Sequence, residues 1–126
     1  MTFIIAFIIT ISISFISSQA ENRIPLHEDM KLMRQELMKV IPIGSRVTDA
    51  KKLMEQNGFK CKMKEKAAFV EYDERNNQIL HENEDYLWCD KSRQVAELIS
   101  RRWQVIITHK REVVTGVYVS SGIKAP

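Results

Sequence analysis

The fold is decided by residues 48–64, TDAKKLMEQNGFKCKMK, in which a helical period changes to a strand period. Apolar residues recur at helical spacing from Ala50 to Met54, and Thr48 before them predicts the N-cap. Gly58 stands where a left-handed residue ends a helix, and the apolar residue after it can contact Met54. These signals predict a short helix with a defined end.

From residue 59 onward the period is two. Apolar residues alternate with lysines, which predicts a half-buried strand with one apolar face. The apolar set is Phe59, Cys61 and Met63. These lysines and the next lysine at the same spacing are called the lysine row: Lys60, Lys62, Lys64 and Lys66.

Upstream, residues 21–40 are predicted to form an N-terminal helix on the basis of one apolar stripe. Pro25 marks the first turn of this helix, and Pro42 prevents it from continuing. The stripe consists of Leu26, Met30, Met33, Leu37 and Val40. Charged residues fill the remaining positions, acidic ones first. A methionine stripe at this spacing favours a core face over a partner groove.

Downstream, residues 68–72 extend the strand or start another, and residues 73–85 are polar and predict a loop or hairpin tip. Residues 86–89 predict a short strand, residues 90–102 a short helix, and residues 103–109 with 113–120 a β-hairpin. The expected fold is α+β, with two N-terminal helices packed on one face of a three- to four-stranded antiparallel sheet. Residues 41–126 form a single α+β domain that continues from the helix at 21–40.

Residues 1–20 predict a signal peptide. They contain no charged residue, and Ser18-Gln19-Ala20 offers small residues at a cleavage site before Glu21. No lysine or arginine precedes the apolar run, so an uncleaved anchor formed by residues 3–18 and a buried strand remain alternatives. We therefore expect a periplasmic or secreted protein, with any membrane contact made through this segment if it stays uncut.

The two cysteines, Cys61 and Cys89, predict one disulfide in an oxidising compartment. Two separate buried thiols and a metal pair are the alternatives. Because neither cysteine has a CxxC partner, redox catalysis is not expected.

The charge is mild but unevenly placed. The chain has 19 basic and 16 acidic residues, a net charge of +3 that argues against a nucleic-acid partner. Residues 71–90 are mainly acidic, whereas residues 31–66 and 91–112 are mainly basic. The candidate partner surface is the lysine row with Arg101, Arg102 and Trp103, which would meet an acidic protein or an anionic envelope surface. A solvated row that protects an edge strand from aggregation is the alternative.

No catalytic, cofactor or metal site is predicted. His27, His81 and His109 lack metal-ligand spacing, and no G-x-S-x-G elbow supports a nucleophile. The acidic group after His81 lacks the glycine and distal glutamate of a calcium loop. A non-enzymatic protein is therefore expected.

The chain resembles small bacterial exported proteins and the BamE (SmpA/OmlA) and β-lactamase-inhibitor-protein-like fold. The resemblance rests on residues 43–61, on Leu87-Trp88-Cys89 and on Arg102-Trp103-Gln104-Val105. It implies a glycine-led helix before a three-stranded sheet and transfers no functional residue. The chain departs from the lipoproteins of that group because no cysteine lies near residue 20 to be acylated.

Together these features predict an exported protein-binding or envelope-assembly module. A secreted inhibitor or immunity-like protein, which inserts the acidic loop between Cys61 and Cys89 into a partner, is the first alternative. A small hydrolase is the second.

Overall fold

The computed structural model describes residues 23–73 and 75–124. Within these residues two helices, α1 (Met30–Val40) and α2 (Val47–Gln56), precede four strands. The strands are β1 (Lys60–Tyr72), β2 (Gln78–Ala96), β3 (Ile99–Lys110) and β4 (Val113–Lys124), and they form one antiparallel sheet in the order β1-β2-β3-β4. The predicted α+β class with two helices before the sheet is confirmed. The predicted signal peptide, residues 1–20, lies outside the described residues.

Helix α1 is shorter than the predicted helix at 21–40. It begins at Met30 because the side chain of Asp29 accepts hydrogen bonds from the backbone N–H groups of Lys31 and Leu32. The described residues before it are not helical. Asn57 binds the backbone N–H of Ile24 at 2.8 Å, so contacts with the rest of the domain hold this segment in place.

Helix α2 ends as the sequence predicts. Phe59 N–H bonds to the carbonyl of Met54 and Gly58 N–H bonds to that of Glu55, which together form a Schellman ending with Gly58 at a φ of 86°. The start differs: the N-cap is Arg46 and not Thr48. The first N–H of the helix, on Val47, is bonded to the carbonyl of Glu112, so a tertiary contact replaces the side-chain cap.

Strand β2 corrects two predictions. Residues 78–85, expected to be part of a loop or hairpin tip, pair with β1. Residues 90–102, expected to hold a short helix, instead form the end of β2, a turn and the start of β3. This polar segment is a strand because it has a backbone partner on at least one side throughout its length. Only residues 73–77 remain as the connection between β1 and β2, and Asp73 organises that turn by accepting from the N–H groups of Arg75 and Asn77.

The core lies between the helices and one face of the sheet. Buried residues of both helices belong to one cluster with sheet residues that share the face of Cys89. From the helices these are Met33, Leu37, Val47, Ala50 and Met54, and from the sheet Leu87, Cys89, Trp103, Val105, Ile107, Val114 and Val117. Even-numbered residues of the central strands therefore point to the opposite face, which is called the open face.

The sheet is strongly curled. Strands β1 and β4 are the two outer strands, which would lie about 14 Å apart in a flat sheet. Nevertheless the Phe69 ring on β1 lies 5.3 Å from the Tyr118 ring on β4. Bulges at Lys66 and Asn83, both with positive φ, interrupt the pairing of β1 with β2 and supply the bend. The far end of the β1–β2 hairpin consequently covers part of the open face.

The two edges of the sheet differ. The chain before α2 pairs with β4, through Gly44 N–H to the carbonyl of Val114 and Val114 N–H to the carbonyl of Ser45. Helix α1 also packs along β4. Within the described part of the chain no strand pairs with the outer edge of β1, so β1 is the accessible edge.

The turn between β3 and β4 stores backbone strain. Lys110 pairs with Val113, and both residues between them, Arg111 and Glu112, have positive φ, as a type I′ turn requires. Asn-Gly suits this turn far better, so the double substitution Arg111→Asn and Glu112→Gly should raise the free energy of unfolding by about 1–2 kcal/mol. Urea unfolding monitored by circular dichroism measures the change.

The matched control moves the same dipeptide by one position, as Glu112→Asn with Val113→Gly. This change places glycine in a paired strand position and should lower the stability. Equal effects from both variants would contradict the assigned turn.

Candidate binding face

The open face carries three cross-strand rows. In the central row Lys62, Trp88, Ile106 and Tyr118 are direct neighbours across all four strands. The adjacent rows are Lys60, Asp90, Gln104 and Ser120 on one side, and Lys64, Tyr86, Thr108 and Gly116 on the other. Lysines therefore stand at the β1 edge of an aromatic and aliphatic surface.

The structure brings three residues of the lysine row together. Lys60, Lys62 and Lys64 lie at alternate positions of β1, and the first two are exposed. Lys66 lies in the bulge, where its φ is 45° and its N–H donates to Asp85. The alternation therefore ends before Lys66, which the sequence pattern alone could not show.

Arg102 also lies on the open face. Its Nε donates to Asp90 at 2.5 Å, and its guanidinium carbon lies 5.9 Å from the centre of the Trp88 ring. Asp90 is the direct neighbour of Lys60, so one carboxylate lies between two cations on this face. Trp88 is partly exposed and contributes an aromatic surface next to them.

The other two predicted contact residues do not join this surface, which corrects the predicted set. Trp103 lies on the helix-covered face, is 1% exposed, and donates from its indole N–H to the carbonyl of His27 at 2.8 Å. Arg101 shares that face and pairs with Glu28 at 3.6 Å. The physical reason is strand alternation, because odd and even positions of β3 point in opposite directions.

A cleft of about 570 Å³ lies beside the central row. The start of α1 forms one wall and the end of β1 forms the other, while residues of β3 and β4 line the floor. The charged lining residues are Lys31 and Arg34 from the helix side, Asp29 before them, and Glu71 and Asp73 from β1. The apolar and aromatic lining includes Met30, Val70, Tyr72, Ile106 and Tyr118. Such a cleft can hold an extended chain with both apolar and charged groups.

Arg34 fixes the helix side of the cleft. Its Nε donates to the carbonyl of Val117 at 2.6 Å, and its guanidinium lies 5.6 Å from the centre of the Tyr118 ring. Burial and the nearby carboxylate of Glu71 raise the pKa of Tyr118, while Arg34 opposes that rise. The phenol therefore stays protonated at neutral pH and can donate a hydrogen bond to a ligand.

An aromatic cluster supports the far end of the open face. Phe69 stacks on His81 at 4.5 Å and contacts Tyr86 edge-on, and both Phe69 and His81 lie against Tyr118. His81 Nε2 also lies 2.8 Å from a carboxylate oxygen of Glu71. A Cβ at Gly116 would lie 3.0 Å from the Thr108 hydroxyl and 3.1 Å from the Tyr118 ring, so glycine permits this packing.

The two cysteines are direct cross-strand neighbours. Cys61 on β1 faces Cys89 on β2, and their sulfur atoms lie 2.6 Å apart without a bond between them. The contact with the Cys89 side chain lowers the pKa of Cys61, which is partly exposed. The same contact and burial raise the pKa of Cys89. Cys61 is therefore the thiol that ionises first.

Among the described residues, no group of three His, Cys, Asp or Glu side chains is placed to hold a metal ion. The histidines lie apart in the fold: His27 precedes α1, His81 belongs to the aromatic cluster, and His109 lies near the end of β3. In residues 23–73 and 75–124, no helix has the length and apolar character needed to cross a membrane.

No protein-family model, no curated protein and no solved structure matches this chain. The resemblance to the BamE and β-lactamase-inhibitor-protein-like fold stays a prediction.

The sequence did not predict the cleft or the role of Arg34 in the wall that α1 contributes to it. Arg34 looked like one of several solvent-exposed charges on α1, and Tyr118 like one residue of a β-branched strand. Only the curl of the sheet brings β1 against β4, and no local pattern in the sequence encodes that contact. The glycine at position 116, isolated in a strand, was the available signal, because such a glycine often marks a close approach.

Proposed function

We propose that this protein is an exported, non-enzymatic binding module that holds an acidic, extended segment of a partner protein on its open sheet face. The central row carries the proposal. It places Lys62, Trp88, Ile106 and Tyr118 side by side. At its far end Arg34 lies over Tyr118, so an apolar strip has a cation at each end.

The charge and the shape of the open face support binding of an acidic, extended ligand. Lys60, Lys62 and Lys64 give the β1 edge a positive potential, which favours association with acidic groups. The aromatic surface of Trp88 and Tyr118 provides contact area of the kind that dominates binding energy at interfaces. The accessible edge of β1 also offers unpaired backbone groups to which an extended segment can add as a strand.

Export and the disulfide belong to the same proposal. The charge-free residues 1–20 support export, and an oxidising compartment would allow Cys61 and Cys89 to form a disulfide between β1 and β2. The bond would link the strand that carries the lysine row to the strand that carries Trp88. It would therefore hold the open face in one shape.

Peptide binding tests the proposal. Two fluorescent peptides are prepared with the same apolar residues, flanked in one by glutamates and in the other by lysines. The acidic peptide should bind, and its affinity should fall as salt is added. The triple change Lys60→Glu, Lys62→Glu and Lys64→Glu should weaken binding at least about tenfold, from roughly 0.5–1 kcal/mol per reversed charge. Fluorescence anisotropy measures the affinity.

The matched control reverses three helix lysines, Lys39, Lys51 and Lys52, and changes the net charge equally. It should leave the affinity within about twofold, since these residues lie on α1 and α2. Equal losses from both triple variants would show that net charge alone attracts the peptide, and the proposed face would be wrong. Binding that survives the β1 variant but is lost on changing the hairpin residues around 73–77 would favour the inhibitor function instead.

A further inference from the structure

Among the described residues, the β2–β3 hairpin extends past both neighbouring strands, since β1 pairs with β2 only as far as Asp90 and β4 pairs with β3 only as far as Ser100. Residues 92–99, called the hairpin arm, are all exposed, and no helix residue covers them. The paired part, from Ser92 to Ala96, spans about 13 Å at the usual strand rise. The arm ends in a two-residue turn of Glu97 and Leu98, because Ala96 pairs with Ile99.

The arm carries an exposed apolar tip. Leu98 is 70% exposed, and Val95 and Ile99 beside it are exposed as well. Ile123 on β4, which is 58% exposed, lies across from Arg101 at the base of the arm. Leu98 has a φ of 62°, a conformation in which asparagine or glycine is more stable. An apolar side chain thus occupies a strained, solvent-facing position that fold stability does not favour.

Arginines lie directly behind the tip. Arg93 and Arg101 are direct cross-strand neighbours, and like charges placed opposite each other destabilise a sheet. Glu28 neutralises Arg101 in part at 3.6 Å, while Arg93 lies over the Trp103 ring. Lys91 adds a cation at the base, and Glu97 is the one acidic residue of the arm. Arg101 is only 18% exposed and is held by Glu28 and Ser121, so the exposed Arg93 is the arginine that an approaching anion can reach.

The N-terminal segment enters the domain at the same place. The carbonyl of His27 accepts from Trp103, and Ile24 N–H donates to the side chain of Asn57, whose carbonyl accepts from Lys91. Arg23 is the first described residue, and the charge-free sequence of residues 1–20 precedes it closely. Residues 24–27 therefore lie at the base of the arm.

We propose that the hairpin arm docks on an anionic phospholipid surface, with Leu98, Val95 and Ile99 in the interfacial region and Arg93 at the headgroups. An apolar tip backed by cations suits the boundary of acyl chains and anionic headgroups. The open face, which is on the opposite side of the sheet, stays available. The domain would then rest on the membrane by its arm while the open face meets its partner.

Vesicle binding tests this surface with the full chain as it is recovered after export. The probes are vesicles that contain phosphatidylglycerol and vesicles of phosphatidylcholine alone. Leu98→Asn, which relieves the strained φ and so keeps the fold, should weaken binding to the anionic vesicles about tenfold. Arg93→Gln should weaken it roughly fivefold. The matched control, Leu80→Asn, removes a 60% exposed leucine from the other hairpin and should change nothing.

A second measurement reports whether residue 98 itself enters the lipid, and its result does not depend on how much residues 1–20 contribute to vesicle binding. Leu98→Trp should give a blue-shifted emission on anionic vesicles and be quenched by brominated acyl chains, whereas Leu80→Trp should show neither change. Binding that persists equally in all variants, with the new indole at position 98 still in water, would overturn the proposal and assign membrane contact to residues 1–20. No binding to either vesicle would also overturn it and leave a protein partner for the arm.

Discussion

Replacing Trp103 by alanine should lower the free energy of unfolding by about 3–5 kcal/mol, the largest single effect expected in this domain. The side chain is 1% exposed and fills the core between the sheet and the N-terminal segment. Its removal leaves a cavity and also leaves the carbonyl of His27 without its donor. Urea unfolding followed by far-ultraviolet circular dichroism measures the loss.

Two further variants separate the contribution of the indole hydrogen bond from that of the buried surface. Trp103→Phe keeps most of the volume and loses the indole N–H, so a loss of about 1–2 kcal/mol is expected from the hydrogen bond. Trp88→Ala, at the partly exposed tryptophan of the open face, should cost about 2 kcal/mol, because less of its surface is removed from water. A larger loss at Trp88 than at Trp103 would contradict the assignment of Trp103 to the core.

Oxidation of Cys61 and Cys89 to a disulfide should raise the free energy of unfolding by about 3.6 kcal/mol, from the loop of some 29 residues that the bond closes. In an oxidising buffer the Cys61 thiolate attacks oxidised glutathione and releases one glutathione. The Cys89 thiolate then displaces the second glutathione and completes the bond. Because the two residues are direct cross-strand neighbours, the strands should shift little.

The measurement compares unfolding with and without a reductant, and mass spectrometry of the intact protein shows whether two hydrogens are lost. The control, Cys61→Ala with Cys89→Ala, should give the same unfolding curve in both conditions. If the natural chain is equally stable with and without reductant and keeps both thiols in an oxidising buffer, the proposed disulfide does not form. The export proposal would then lose one of its two supports.

The helix at 47–56 was predictable because its signals are local. Gly58 and the residues next to it define the ending within one turn, and the same atoms form it in the structure. The lysines of β1 were predictable for a related reason, since alternation is a property of the strand itself. Both cases depend on residues that are close in the chain.

Strand β2 was not predictable in this way. Its residues 78–85 and 90–96 are mostly polar and carry no apolar alternation, and the neighbouring strands determine their conformation. The position of Trp103 was also beyond local reasoning. The pattern places it on a strand face together with Val105 and Ile107, but only the packing of the N-terminal segment decides that this end of the face is covered.

The contact between Arg34 and Val117 joins residues 83 positions apart, and Gly44 and Val114 form a similar long link. Helix α1, the first helix of the described residues, thus packs along the last described strand. Contacts of such long sequence separation slow folding, because a large loop must close before they form. The chain cannot complete its core until β4 has left the ribosome. A nascent chain that folds this late stays extended for longer, and an extended chain would suit the proposed export through a translocation channel.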